Sequence, residues 1–180
     1  RYTAQYQYSL SYNQLYAMAK VSIIMGSTSD MPVMRKAADF LEQMEVPFEM
    51  HALSAHRTPA AVERFASEAA GRGIEVIIAA AGMSAALPGV IAAITPLPVI
   101  GVPIAATLDG IDALLSIAQM PPGIPTATVG INGALNAAVL AVRILSLSDH
   151  GLAERYNAYR SGLSAKVEKA DAELAAIADY

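Results

Sequence analysis

The chain has 180 residues and a mass of 18.8 kDa, with 54% hydrophobic residues, 16% charged residues and a net charge of −4. One core of ordinary domain size accounts for that length, and the apolar content excludes a disordered chain. The acidic balance lacks the basic footprint of a nucleic-acid binder, and zero cysteines remove disulfides, thiolate zinc sites and a cysteine nucleophile together.

Residues 1–20 differ from the rest. They carry five of the eight tyrosines, Tyr2, Tyr6, Tyr8, Tyr12 and Tyr16. The spacing reads either as an aromatic stripe on a helix or as a poorly ordered extension. No apolar stretch of the kind a secretory signal needs is present there, so a cytoplasmic protein is expected.

After Lys20 strands and helices alternate. Val21–Met25 reads as a strand that ends in Gly26-Ser27-Thr28-Ser29-Asp30. A helix over 31–45 follows, with Met34, Ala37, Ala38, Leu41 and Met44 at helical spacing. A second strand runs from Phe48 to Leu53 into Ser54-Ala55-His56-Arg57-Thr58-Pro59, and a helix over 60–71 stops at Gly71 and Gly73. Glu75–Ala81 is an unbroken apolar strand, and Gly82–Ala93 gives the next turn and helix. Strands near 98–102 and 126–130, with helices near 109–119 and 133–147, complete the pattern. Strands apolar on both faces predict a parallel sheet covered on both sides, an α/β/α sandwich of three layers. A last helix, about 150–178, carries Leu152, Tyr156, Tyr159, Leu163, Val167, Leu174 and Ile177 on one face. It is expected outside the core, against a neighbouring subunit.

The stretch Val76–Leu108 holds no charge and is long enough to span a bilayer, yet Pro88, Pro96, Pro98 and Pro103 interrupt it. It therefore reads as buried strands and a helix, not as a membrane span. Between Val76 and Val142 only Asp109 and Asp112 are charged, so the helices in that region lack polar faces. A domain this small cannot hide them all, which predicts a homo-oligomer.

Ligands of open parallel sheets bind beyond the carboxyl ends of the strands. Three loops leave such ends here. Gly26–Asp30 offers a glycine, three hydroxyls and a carboxylate before a helix, a composition suited to an anion, although Asp30 reads equally well as a helix cap. In Ser54–Pro59, Arg57 supplies a fork of donors for phosphate or carboxylate. His56 is the one histidine expected at a strand's carboxyl end, and an unperturbed imidazole titrates near ~6.5, which suits proton transfer. His51, inside a strand, and His150, at a helix start, are expected to be structural. The third loop, Ala81–Gly89, contains no ionisable group, so its small residues serve either a close ligand approach or tight packing. Three scattered histidines without clustered carboxylates predict no metal site.

In this order the loops resemble the PurE family of purine biosynthesis. The resemblance rests on Gly26–Asp30, Ser54–Arg57, Leu87-Pro88-Gly89, Gly101-Val102-Pro103, Gln119-Met120-Pro121 and Gly123-Ile124-Pro125, and covers about 21–150. It implies a flavodoxin-like catalytic domain over 21–150, between a Tyr-rich extension (1–20) and a C-terminal helix (151–180) that packs in an octamer. It also implies a cofactor-free reaction in which a carboxylate moves from the exocyclic nitrogen of N5-carboxyaminoimidazole ribonucleotide to ring carbon C4. By position, His56 is then the general acid and base. Ser27, Ser54 and Arg57 hold the phosphate and Asp30 the ribose, while Gly26, Ser29, Ala55, Gly82, Ser84 and Leu87 complete the substrate site.

The third loop departs from the mutase pattern glycine-glycine-x-x-histidine-leucine-proline-glycine, because Met83 and Ala86 replace the second glycine and the histidine. Ala81-Gly82-x-Ser84 is closer to the branch that carboxylates aminoimidazole ribonucleotide directly, whereas His56-Arg57-Thr58-Pro59 is similar to the mutase branch. The mutase is the favoured expectation. The direct carboxylase and a ribonucleotide-binding or assembly protein without turnover are the alternatives.

Overall fold

The structure, a computed structural model, describes residues 18–177. The five tyrosines of residues 1–20, read either as a helical stripe or as an extension, therefore lie outside the described residues. Five parallel strands form one sheet in the order β2-β1-β3-β4-β5: β1 Val21–Met25, β2 Phe48–Ala52, β3 Val76–Gly82, β4 Val99–Ile104 and β5 Ala127–Thr128. The helices are α1 Met31–Gln43, α2 Pro59–Glu68, α3 Leu87–Ile94, α4 Ile111–Ala118, α5 Ala134–Leu145 and α6 His150–Ala176.

Strand side chains alternate between two cores, as a period of two requires. Val21, Ile23, Ile78, Ile100 and Val102 face α1, α5 and the start of α6, where Met34, Leu41, Ala138 and Leu152 meet them. Ile24, Ile77, Ala79 and Val99 face the opposite way, against Val62, Ile91 and Ile117 of α2, α3 and α4. Every residue of β1 and β4 is buried, which is why these strands read as unbroken apolar runs. Gly101 allows the close approach of α4 to β4, since a Cβ there would collide with Ile117 Cγ2.

Three elements differ from the sequence reading. The last strand shrinks to two residues, because only Ala127 and Thr128 pair with β4. The helix expected over 60–71 ends at Glu68 and passes through a 3₁₀ turn, Ala70–Arg72, to Gly73 at φ 92°. The expected apolar face of the last helix is only partly used: Leu152, Tyr156 and Tyr159 pack on the core, and Phe40 meets Tyr159 edge to face at 5.0 Å. Past residue 160 the helix leaves the body, and Leu163, Val167 and Leu174 are exposed. Among the described residues no helix is long and apolar enough to cross a membrane.

One buried charge lies far from the sheet's carboxyl end. Glu49 of β2, 4% exposed, accepts from Arg72 Nη2 at 2.9 Å and lies 3.1 Å from His51 Nε2. Burial pushes the Glu49 carboxyl up, but the His51 contact and the Arg72 charge outweigh it and hold it below the usual range. Arg72 also stacks over Phe65, 5.1 Å from the ring centre.

Candidate functional site

The sheet order reverses between β1 and β3. β2 lies on one side of β1 and every later strand on the other, so the loops leaving β1 and β3 diverge and open a crevice at their carboxyl ends. A cleft of about 490 Å³ occupies this position.

One wall is polar and comes from the loops after β1 and β2. Gly26, Ser27, Ser29 and Asp30 line it from the first, and Ser54, Ala55, His56 and Arg57 from the second. Hydrogen bonds fix both loops. Ser27 Oγ caps the 3₁₀ turn Thr28–Asp30 by accepting from Ser29 N at 3.3 Å. Asp30 occupies the cap position of α1 but makes no capping hydrogen bond through its side chain. Burial pushes its carboxyl above the ordinary aspartate range, against the opposing pull of Ser29, the Ser27 backbone and the Arg57 charge.

The second loop closes on itself before Pro59 starts α2. Ser54 N donates to Thr58 Oγ1 at 2.9 Å, Thr58 Oγ1 donates to Ser54 O at 3.1 Å, and Arg57 N donates to Ser54 Oγ at 3.2 Å. Arg57 then ties the two loops together. Its Nη2 donates to Gly26 O at 2.7 Å and its Nε to Ser54 Oγ at 3.3 Å. His56 is exposed on this turn and borders the same cleft as Arg57.

The other wall is apolar. Gly82, Ser84 and Leu87 line it as expected, joined by Ala81, Met83, Ala85 and Ala86 of the same loop. The backbone turns sharply there, with Met83 at φ 56° and Ala85 at φ 22°. All eleven residues anticipated from the sequence therefore border one cleft. Ala106 also borders it and is not anticipated. It belongs to a fourth loop, after β4, and no local pattern marks it because its place depends on β4 lying beside β3. That loop is pinned by Asn132 Oδ1, which accepts from Ala105 N at 3.0 Å.

The remaining motif residues do not border the cleft. Gly101 admits Ile117, and Gly89 faces the Met120 sulfur, which a Cβ would approach to 2.9 Å. Among the described residues no group of three His, Asp or Glu side chains is placed to hold a metal ion. The site thus combines a polar wall of hydroxyls, a guanidinium and a carboxylate with one imidazole and an apolar cover. Such groups can accept hydrogen bonds, donate them to an anionic group and exchange a proton.

The family profile described as AIR carboxylase matches residues 20–166. The N5-carboxyaminoimidazole ribonucleotide mutase of Pyrococcus abyssi is 58% identical over 147 residues, covering 81% of this chain and 84% of that one. The mutase of the same name from Mycobacterium tuberculosis is 53% identical over 160 residues, 88% of this chain and 92% of the relative. The phosphoribosylaminoimidazole carboxylase of Candida glabrata is 51% identical over 158 residues, but this chain spans 28% of that longer protein. Among solved structures, PurE of Treponema denticola superimposes with a TM-score of 0.79 at 32% identity, covering 86% of this chain and 97% of the other.

Proposed function

The chain belongs to the AIR carboxylase family, and we propose that it is a mutase converting N5-carboxyaminoimidazole ribonucleotide to 4-carboxy-5-aminoimidazole ribonucleotide. The observation that carries this reading is end-to-end similarity. Relatives bearing the mutase name match over 84–92% of their length, whereas the Candida glabrata carboxylase is matched over 28% of its own. Arg57 directly after His56 agrees with it.

In this reading the 5′-phosphate lies against the polar wall. Ser27 and Ser54 supply hydroxyl donors and Arg57 supplies charge, at the place where its guanidinium already joins the two loops. Asp30 accepts from the ribose hydroxyls. The imidazole base then reaches His56, with Gly82 and Ser84 on its far side.

The reaction has two halves. The bond between the carboxyl carbon and the exocyclic nitrogen breaks, its electron pair returns to nitrogen, and His56 delivers a proton there as carbon dioxide forms. Ring carbon C4 then attacks the carbon dioxide, a carbon–carbon bond forms, and His56 removes the C4 proton. One proton is given and one recovered, so the imidazole ends as it began.

The exposed apolar residues Val90, Ile94, Ile111, Leu115 and Leu135 on α3, α4 and α5 support a homo-oligomer, which we read as the octamer that the family resemblance implies. A phosphorylated substrate does not cross a membrane unaided, which supports the cytoplasmic reading.

A paired assay tests the reaction. Purified protein is given N5-carboxyaminoimidazole ribonucleotide in one cuvette, and aminoimidazole ribonucleotide with saturating bicarbonate and carbon dioxide in the other. Product from the first at low bicarbonate is the expected result. Product from the second alone assigns the direct carboxylase, and silence in both from folded protein overturns the enzymatic reading.

A further inference from the structure

The apolar wall contains one side chain that the fold does not account for. Its other members are short, or in the case of Leu87 buried in the core at 3% exposure. Met83 alone is long, apolar and 58% exposed while bordering the cleft. It gains little from burial. Its backbone lies at φ 56°, in the left-handed region that glycine enters freely and a residue with a Cβ enters at a cost. Within the subunit a methionine thus stands where it costs backbone energy and gains little packing, an arrangement found at functional sites.

The reaction assigned above supplies a reason. Between its halves it holds carbon dioxide, a neutral molecule without a hydrogen-bond donor that must meet C4 before it escapes. Hydroxyls and a guanidinium favour anions and water. A polarizable thioether favours a small neutral guest and excludes water from it. We propose that Met83 is the side chain that closes the cleft over the carbon dioxide between decarboxylation and recarboxylation, an inference that rests on the mutase reading. Met83 moves no proton; it sets the partition between capture and loss.

The test follows the carbon. Wild type, Met83→Ala, Met83→Gly and Met83→Leu turn over unlabelled N5-carboxyaminoimidazole ribonucleotide in buffer containing ¹³C-enriched bicarbonate and carbon dioxide. Substrate loss, free aminoimidazole ribonucleotide and label in the product are measured together. In the wild type the product keeps the substrate's own carboxyl carbon. In the alanine and glycine variants label and free aminoimidazole ribonucleotide rise several-fold per substrate consumed, and leucine stays close to wild type. Glycine fits the φ of this position, so its thermal midpoint does not fall, which separates leakage from misfolding. Unchanged label and leakage in the alanine and glycine variants overturn the inference while the mutase stands. A wild-type protein that leaves the substrate unconsumed removes the mutase reading, and the inference with it.

Discussion

The two walls of the cleft are built by different physics. On the polar wall the loops after β1 and β2 hold their shape by hydrogen bonding, with Arg57 bridging Gly26 O and Ser54 Oγ. The side chains that would meet the substrate are therefore those that shape the wall. On the apolar wall, the loop after β3 is shaped by packing from below and by two residues with left-handed backbone, Met83 and Ala85. In the helix that follows it, Pro88 approaches Gly101 beside Ile117 and Gly89 faces Met120, and none of these residues borders the cleft. A change on the polar wall should alter chemistry and binding at once, whereas a change beneath the apolar wall should reach the site only through stability.

The sharpest way to break this contrast is His56→Asn. Removing the only imidazole on the cleft is expected to cut turnover by roughly 10²- to 10⁴-fold, the usual contribution of a positioned acid–base group. The exposed position predicts an unchanged thermal midpoint, so kcat and Tm measured on one preparation test both halves. Full activity of this variant would sink the mechanism.

Arg57→Ala comes next, with KM rising roughly tenfold to a hundredfold, since charge-assisted hydrogen bonds contribute about 1.5–3 kcal/mol each. Arg57→Lys should recover only part of this, because an ammonium cannot span Gly26 O and Ser54 Oγ as a planar fork does. Equal KM values for the lysine variant and wild type would refute the bridging role.

Behind the apolar wall the kind of effect changes, from binding to stability. Gly101→Ala places a Cβ against Ile117 and is expected to cost about 1–3 kcal/mol of stability, the range for overpacked cores. Its KM should stay close to wild type in urea-free buffer, so a denaturation curve and a Michaelis curve together distinguish packing from binding.

The smallest effect is expected at the opposite end of the sheet. Glu49 has a folded-state pKa below its unfolded value, so the stability it contributes is complete above the ordinary glutamate range and is lost as pH falls through it. In Glu49→Gln that acid-side slope should flatten, while turnover at neutral pH is unaffected. A thermal midpoint followed between about pH 3 and 7 spans the ordinary carboxylate range and reads the difference; an unaltered slope would place the acid sensitivity elsewhere.

These regions also differ in how legible they are in the amino-acid sequence. Residues within one loop are legible, because Gly26–Asp30 and Ser54–Pro59 carry their chemistry in consecutive side chains and follow strands with an evident period. The alternation of buried strands and helices is legible for the same reason: hydrophobic spacing is local. Whatever depends on a distant partner is not. β5 is short because only two of its residues reach β4, and the last helix leaves the body after Tyr159 because the core beneath it ends. The choice between cap and ligand for Asp30 depends on where its carboxylate lies relative to the first turn of α1.

The sequence by itself therefore determined the layered α/β architecture, the loops that carry hydroxyl, imidazole and guanidinium groups, and the resemblance to one family. Only the tertiary structure decided that the loops after β1 and β3 part at the switch point, that Ala106 joins the wall from a fourth loop, and that Met83, bordering the cleft, bears a left-handed backbone. The reason is physical. Periodicity and side-chain chemistry are properties of neighbours along the chain, whereas strand order and backbone dihedrals are settled by which surfaces the folded chain buries together.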